Sequence, residues 1–193
     1  SGNYSLLNTT ATTTADITKK GLALSGITAS NKVYDGTTAA TVDTTGAVYT
    51  GLIGGDAVTV SATGIFDTKN VGVNKTVNLT SSYAGVDAGN YSITDQAATT
   101  ADITAKDLTA SYTGTDKVYD ATTAATVTGS SGDIIGGDAV TFSETASFID
   151  KNAGIGKTIN VTGITLGGAD SGNYSLLNTT ATTTADITKK GLA

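Results

Sequence analysis

The sequence predicts an all-β fold, two tandem β-sandwich-like modules in an extended rod, and three observations lead there. The first is repetition. Lys32 to Val42, KVYDGTTAATV, returns as KVYDATTAATV at Lys117 to Val127, and a string of that length shared within 193 residues marks a tandem array. The second is composition: 40 Thr and 24 Gly occur with Val, Ile and Tyr and with no Pro, Cys, Met, Trp, His or Arg. That balance suits pleated, half-buried surface broken by turns. The third is period, since apolar residues alternate over short runs and no window has the three-to-four spacing of an amphipathic helix. A β-grasp module is the alternative topology, and it requires a helix that the sequence does not offer.

Further matched strings set the unit. Lys32 and Lys117 lie 85 apart (117 − 32), whereas IGGDAVT at Ile53 recurs at Ile135, 82 apart (135 − 53). Small indels therefore separate the copies. GNYS starts at Gly2, Gly89 and Gly172, TADIT at Thr14, Thr100 and Thr184, and Ser1 to Ala23 is repeated letter for letter at Ser171 to Ala193. The expected organisation is residues 1–19 as the tail of a preceding repeat, 20–105 and 106–189 as two repeats, and 190–193 as the start of another. The tail, read as Asn3 to Thr18, is expected to be an orphan strand that seeks a partner in a neighbouring chain.

Within the first repeat, Gly21 to Thr28 alternates enough for a strand, and Val33-Tyr34 opens the signature. Asp35-Gly36 is the strongest two-residue turn signal, because Gly accepts positive φ and Asp can bond the backbone beyond it. Its copy is Asp120-Ala121. Ala resists positive φ, so either the turn needs no such residue, the reading expected here, or the second copy is slightly strained. Thr37 to Val42 and Ala47 to Leu52 continue as strand, Gly54-Gly55-Asp56 turns, and Ala57 to Ile65 alternates clearly. Asp67 to Asn74 reads as a polar loop, and Lys75 to Ser81 as a strand with Val77 and Leu79 on one face. Asp87 to Asn90 is a turn feeding Tyr91 to Thr94 and Ala97 to Thr104. Between repeats, Ala101 to Ser111 contains neither Gly nor Pro, which predicts strand passing directly into strand and a stiff connection.

Charge and composition exclude several classes. A net charge of −6 with a single adjacent basic pair, Lys19-Lys20, and its copy Lys189-Lys190 argues against nucleic acid as a partner. No apolar run approaches a membrane span, so no membrane insertion is expected. With no His or Cys and no clustered carboxylate pair, no enzyme is expected.

KVYDGTTAATV, the GGDAVT turn and strand, the Lys-Asn-x-Gly loop (Lys69, Asn70, Gly72), DAGNYS and the ADIT-Lys ending together resemble the YDG-type repeat of large bacterial surface proteins. Those proteins are filamentous-haemagglutinin-like adhesins exported by two-partner secretion. The match runs over nearly the whole chain twice, and Asp120-Ala121 departs from it at the Gly. The resemblance implies a secreted stalk or spacer at the surface of a Gram-negative cell, with neighbouring repeats as its partners and host-surface or matrix binding done elsewhere in the parent protein.

The residues singled out are Lys32, Tyr34, Asp35 and Gly36 with Lys117, Tyr119 and Asp120, read as a structural motif. Tyr34 and Tyr119 could stack on a sugar, but an aromatic on a strand is more often core with its hydroxyl on backbone. No cofactor is expected. Calcium is the one ion considered, on Asp67, Asp87, Asp150 and Asp170 with Asn70, Asn90, Asn152 and Asn173, although no loop offers the six or more oxygens needed. A self-formed Lys–Asn isopeptide link would need Lys32, Lys69 or Lys75 buried against an Asn such as Asn70, Asn78 or Asn90, and recurrence at turns is explained without it. A structural spacer, a weak glycan- or protein-binding module and a calcium-rigidified repeat thus remain as functions to separate.

Overall fold

A computed structural model describes residues 2–5 and 7–192, and every regular element in it longer than a single turn is a strand. The first repeat contains β1 (Lys20–Ser25), β2 (Thr28–Ala29), β3 (Lys32–Val33), β4 (Ala39–Ala40), β5 (Val42–Asp43), β6 (Val48–Thr50), β7 (Thr59–Phe66), β8 (Gly72–Ala84), β9 (Tyr91–Thr94) and β10 (Ala98–Thr104). The second contains β11 (Lys106–Leu108), β12 (Ser111–Thr115), β13 (Lys117–Val118), β14 (Thr126–Ser130), β15 (Thr141–Phe148), β16 (Gly154–Gly167), β17 (Tyr174–Leu176) and β18 (Thr180–Thr188). Only single 3-10 turns, Ala88–Asn90 and Ser171–Asn173, interrupt them. The helix that a β-grasp module requires does not occur among the described residues.

Each repeat closes its last strands onto its first. The long hairpin β7–β8 pairs on one side with β10, which in turn takes β3 in parallel, and β1 lies parallel to β9. The second repeat repeats the scheme as β15–β16–β18–β13 with β11 parallel to β17. A repeat therefore cannot form its sheets without both of its ends. Alternation along the strands puts Phe66, Val77, Ala101 and Ile103 inside the first repeat and Phe148, Ile159, Ala185 and Ile187 inside the second.

Between β10 and β11 stands a single residue, Ala105, so strand runs almost unbroken from one repeat into the next. The core does not stop there either. One buried cluster joins Tyr34, Phe66, Val77, Ala101 and Ile103 of the first repeat to Leu108 and Tyr174 of the second, with Ile134, Ile135 and Val140 packed against it.

Three details depart from the sequence reading. The polar loop from Asp67 ends at Val71, because β8 begins at Gly72 and takes Gly72 to Asn74 into the sheet. A register shift between Ala101 and Ile103 accommodates that start, and Asn74 takes positive φ (50°), with its N–H on Asp102 Oδ1. At the signature turn, Gly36 has φ 76° and Ala121 has φ 68°. The turn does need a left-handed residue, and the second copy carries the strain of an Ala there, contrary to the expectation that it needs none. Finally, residues 2–5 and 7–19 contain no strand and are exposed, whereas the same sequence at 171–188 forms a 3-10 turn, β17 and β18.

Candidate functional site

The signature lysine is a clasp. Lys32 Nζ donates to Asp35 Oδ1 (2.8 Å), to the Thr37 carbonyl (2.8 Å) and to the Ala39 carbonyl (3.0 Å), and it lies 5.5 Å from the centroid of the Phe66 ring. The ammonium thereby satisfies two backbone acceptors of the chain that it ties down, while its stem covers the ring below. Lys117 repeats these contacts with Asp120, Thr122, Ala124 and the Phe148 ring. Asp35 and Asp120 also accept from the backbone N–H of Thr37 and Thr122. For Asp120 that bond, with Lys117, lowers the carboxyl to about 2. The cluster shapes one loop in each repeat.

The motif tyrosine turns away from this loop toward the junction. Tyr34 is 2% exposed, and its hydroxyl donates to Asp138 Oδ2 of the second repeat at 2.8 Å rather than to backbone. Asp138 also accepts from the Tyr174 hydroxyl (2.7 Å) and from Lys69 Nζ (2.7 Å), and its side chain is 3% exposed. Burial alone would raise the Asp138 carboxyl, but the bonds from Lys69, Tyr174 and Tyr34 hold it below the usual carboxylate range. Lys69 is raised, chiefly by its bond to Asp138, and burial pushes Tyr174 up to about 12. The carboxyl is fixed ionised, the amine fixed charged and the phenol fixed neutral. None is poised to exchange a proton near neutral pH, so the arrangement is a polar knot and not an acid–base pair.

Asparagines complete the knot. Asn173, the one buried polar residue among those described, accepts the Val71 N–H (3.0 Å) and donates to Asn70 Oδ1 (3.3 Å). Asp170 lies 3.5 Å from Lys69 Nζ and accepts the Ala139 N–H (2.9 Å). At the loop tip, a Cβ placed on Gly36 would meet Ile135 Cγ2 at 3.0 Å. Two loops of the first repeat, 34–36 and 69–71, thus form a socket, and Ile135, Asp138, Asp170, Asn173 and Tyr174 of the second form the plug within it.

The calcium candidates are otherwise engaged. Asp67 pairs with Lys75 (2.8 Å), Asp150 pairs with Lys157, and Asp87 and Asp170 cap backbone N–H groups. Among the described residues, no three acidic side chains gather as a metal site would need. Lys32, Lys69 and Lys75, the isopeptide candidates, each end on a carboxylate. Tyr119 is half-buried, and a groove of about 640 Å³ opens beside Phe142 and Glu144, with the Tyr112 ring edge-on to Phe142.

Of the residues singled out in the sequence, the structure brings Lys32 and Asp35 together in one clasp, and Lys117 and Asp120 in another. Tyr34 belongs to the junction instead. Lys69, Asp138 and Asn173, which hold that junction, are not among the motif residues, although Lys-Asn and GGD recur in both copies and were the signal available.

A family model described as YDG domain matches residues 18–101 and 104–185. Neither the curated proteins nor the solved structures compared with the chain give a match.

Proposed function

The chain belongs to the YDG-domain family, and from that premise we propose that it is a structural spacer, part of the stalk of a large secreted bacterial adhesin that projects a binding region from the cell surface in cell adhesion and biofilm. The observation that carries this reading is the junction. A buried carboxylate that takes two donors from one repeat and one from the other, above a core shared by both, resists bending between them. Strand continuity through Ala105 removes the flexible linker that would otherwise set the reach. Neighbouring repeats of the same chain are then the main partners, and host-surface or matrix binding belongs elsewhere in the parent protein.

Small-angle scattering of dilute full-length chain beside Asp138→Ala tests it. The parent is expected to fit one extended conformation and the variant a broader range; a parent curve that only a mixture of bent conformations can fit would remove the spacer reading. One observation favours a second reading, a weak glycan- or protein-binding module: the groove beside Phe142. Loss of glycan-array signal in Phe142→Ser, with melting unchanged, would support it.

A further inference from the structure

The junction between the repeats has two halves, and each half occurs once more without its mate. By position in the repeat, Ile53, Asp56, Asp87, Asn90 and Tyr91 correspond to the plug residues Ile135, Asp138, Asp170, Asn173 and Tyr174. On the first repeat this plug faces solvent: Asn90 is exposed where Asn173 is 5% exposed, and Ile53 is 53% exposed where Ile135 is half-buried. Its apolar base, Leu22, Val58 and Tyr91, forms a separate small cluster. At the opposite end of the chain, Tyr119, Lys151 and Asn152 correspond to the socket residues Tyr34, Lys69 and Asn70. Lys151 is exposed and makes no ion pair among the described residues, and a groove of about 430 Å³ lies beside Tyr119, Asn152 and Ala153.

The chain ends add a second, independent observation. Residues 2–5 and 7–19 are exposed and strandless, yet their sequence is the one that supplies β17 and β18 to the second repeat. Tyr4 is 94% and Ile17 is 100% exposed, against 7% for Tyr174 and 2% for Ile187.

We propose that a second copy of this chain docks head to tail on the second repeat, seating its own residues 3–18 in place of residues 173–188 and its plug in the free socket. The incoming segment would find the same partners, β11, β13 and β16, because it has the same sequence. It would then run through Lys19 into β1 of the incoming chain, as β10 runs through Ala105 into β11. Lys151 and Tyr119 would meet Asp56 of the second copy, and Lys151 its Asp87, as Lys69 and Tyr34 meet Asp138 and Lys69 meets Asp170. Strands seated before and after the exchange are equal in number and identical in sequence. What remains in favour of association is one new junction, set against the entropy of joining two molecules. Plug and socket are different surfaces, so the contact is heterologous and adds copies in a line. Complementation by an added strand and exchange of an identical element are both known routes to assembly. The proposal rests on the junction geometry and does not require the spacer reading.

The test is refolding of the full chain from denaturant at low and at high protein concentration, followed by size-exclusion chromatography with light scattering. The wild type is expected to be monomeric when refolded dilute, and dimeric and larger when refolded concentrated. Ile17→Asp alters only the exposed segment, so it should melt as the wild type does yet stay monomeric at both concentrations. Lys151→Glu, also outside the internal junction, should weaken association by about thirtyfold or more, the usual cost of losing one partner of a desolvated charge pair. A wild type that stays monomeric when concentrated, an Ile17→Asp variant that associates as well as wild type, or a Lys151→Glu variant that does so, would each overturn the proposal.

Discussion

Ser1–Ala23 and Ser171–Ala193 are the same sequence with opposite structures. In the C-terminal copy, residues 171–188 form a 3-10 turn and two strands, with Tyr174 and Ile187 in the core, while Lys189 to Leu192 lie exposed. In the N-terminal copy the division is reversed. Residues 2–5 and 7–19 are exposed and strandless, and Lys20 to Ala23 enter β1, with Leu22 2% exposed where Leu192 is fully so. Local propensity is identical in the two copies, so it does not decide which half becomes strand. The deciding factor is whether β11, β13 and β16, or β6 and β9, stand alongside to pair with it.

That comparison is broken most severely by making one substitution in both copies. Ile187→Ala removes a side chain buried between β13 and β16 and is expected to cost about 3 kcal/mol. Ile17→Ala should change stability by less than about 0.5 kcal/mol, since its side chain meets only solvent. Guanidinium unfolding of the two variants measures the difference, and equal effects would mean that the exposed segment is packed in solution.

A second substitution pair compares the engaged plug with the solvent-facing one. Asp138→Ala strands three donors, those of Tyr34, Lys69 and Tyr174, and is expected to cost about 2–3 kcal/mol. Asp56 takes one tyrosine at 2.5 Å from within its own repeat, so Asp56→Ala is expected to cost about 1 kcal/mol. Both values come from urea midpoints at neutral pH.

These residues also show what the sequence could and could not reveal. The strands were readable where alternation is clean, as at Thr59–Phe66, and Val77 and Leu79 share one face as the pattern implies. The start of β8 was not, because Gly72 and Asn74 signal a turn locally and are drawn into the sheet by neighbours on both sides. The clasp links Lys32 to residues at most seven positions away, and its close spacing made it visible as a motif. The polar knot did not stand out. Asp138 is 69 positions from Lys69 and 104 from Tyr34, in another repeat, so no short pattern joins them. Recurrence marked Lys69 and Asp138 as fixed positions without showing that each serves the neighbouring unit.

Acid should act on the junction more gently than Asp138→Ala does, because a protonated carboxyl still fills the site. Asp138 is held below the ordinary carboxylate range in the folded chain, so folding favours its ionised form. Its contribution is therefore complete above the unfolded value of about 4 and is lost as pH falls through the lower folded value. Tyr174 behaves in the opposite sense: raised to about 12, it contributes fully below its unfolded value of about 10 and loses that contribution as pH climbs toward 12. Denaturation midpoints from pH 5 downward, in wild type and Asp138→Asn, should converge as the acid limit is reached. Parallel curves would mean that another carboxyl controls the acid limb.

The smallest effect, and the sharpest contrast between repeats, lies at the signature turn. Gly36 and Ala121 hold nearly the same left-handed φ, 76° and 68°, but only the glycine does so without a Cβ facing its own backbone. Replacing Ala121 by Gly relieves about 1–2 kcal/mol of that strain and gives back part of it through the greater freedom of glycine in the unfolded chain. A net gain of about 0.5–1 kcal/mol is expected. The reverse change, Gly36→Ala, should cost more than Ala121→Gly gains, since the new Cβ would also press on Ile135 Cγ2 at 3.0 Å across the junction. Melting of the two variants separates the terms: backbone strain alone gives equal and opposite shifts, and the excess loss at Gly36 reports how tightly the socket grips the plug.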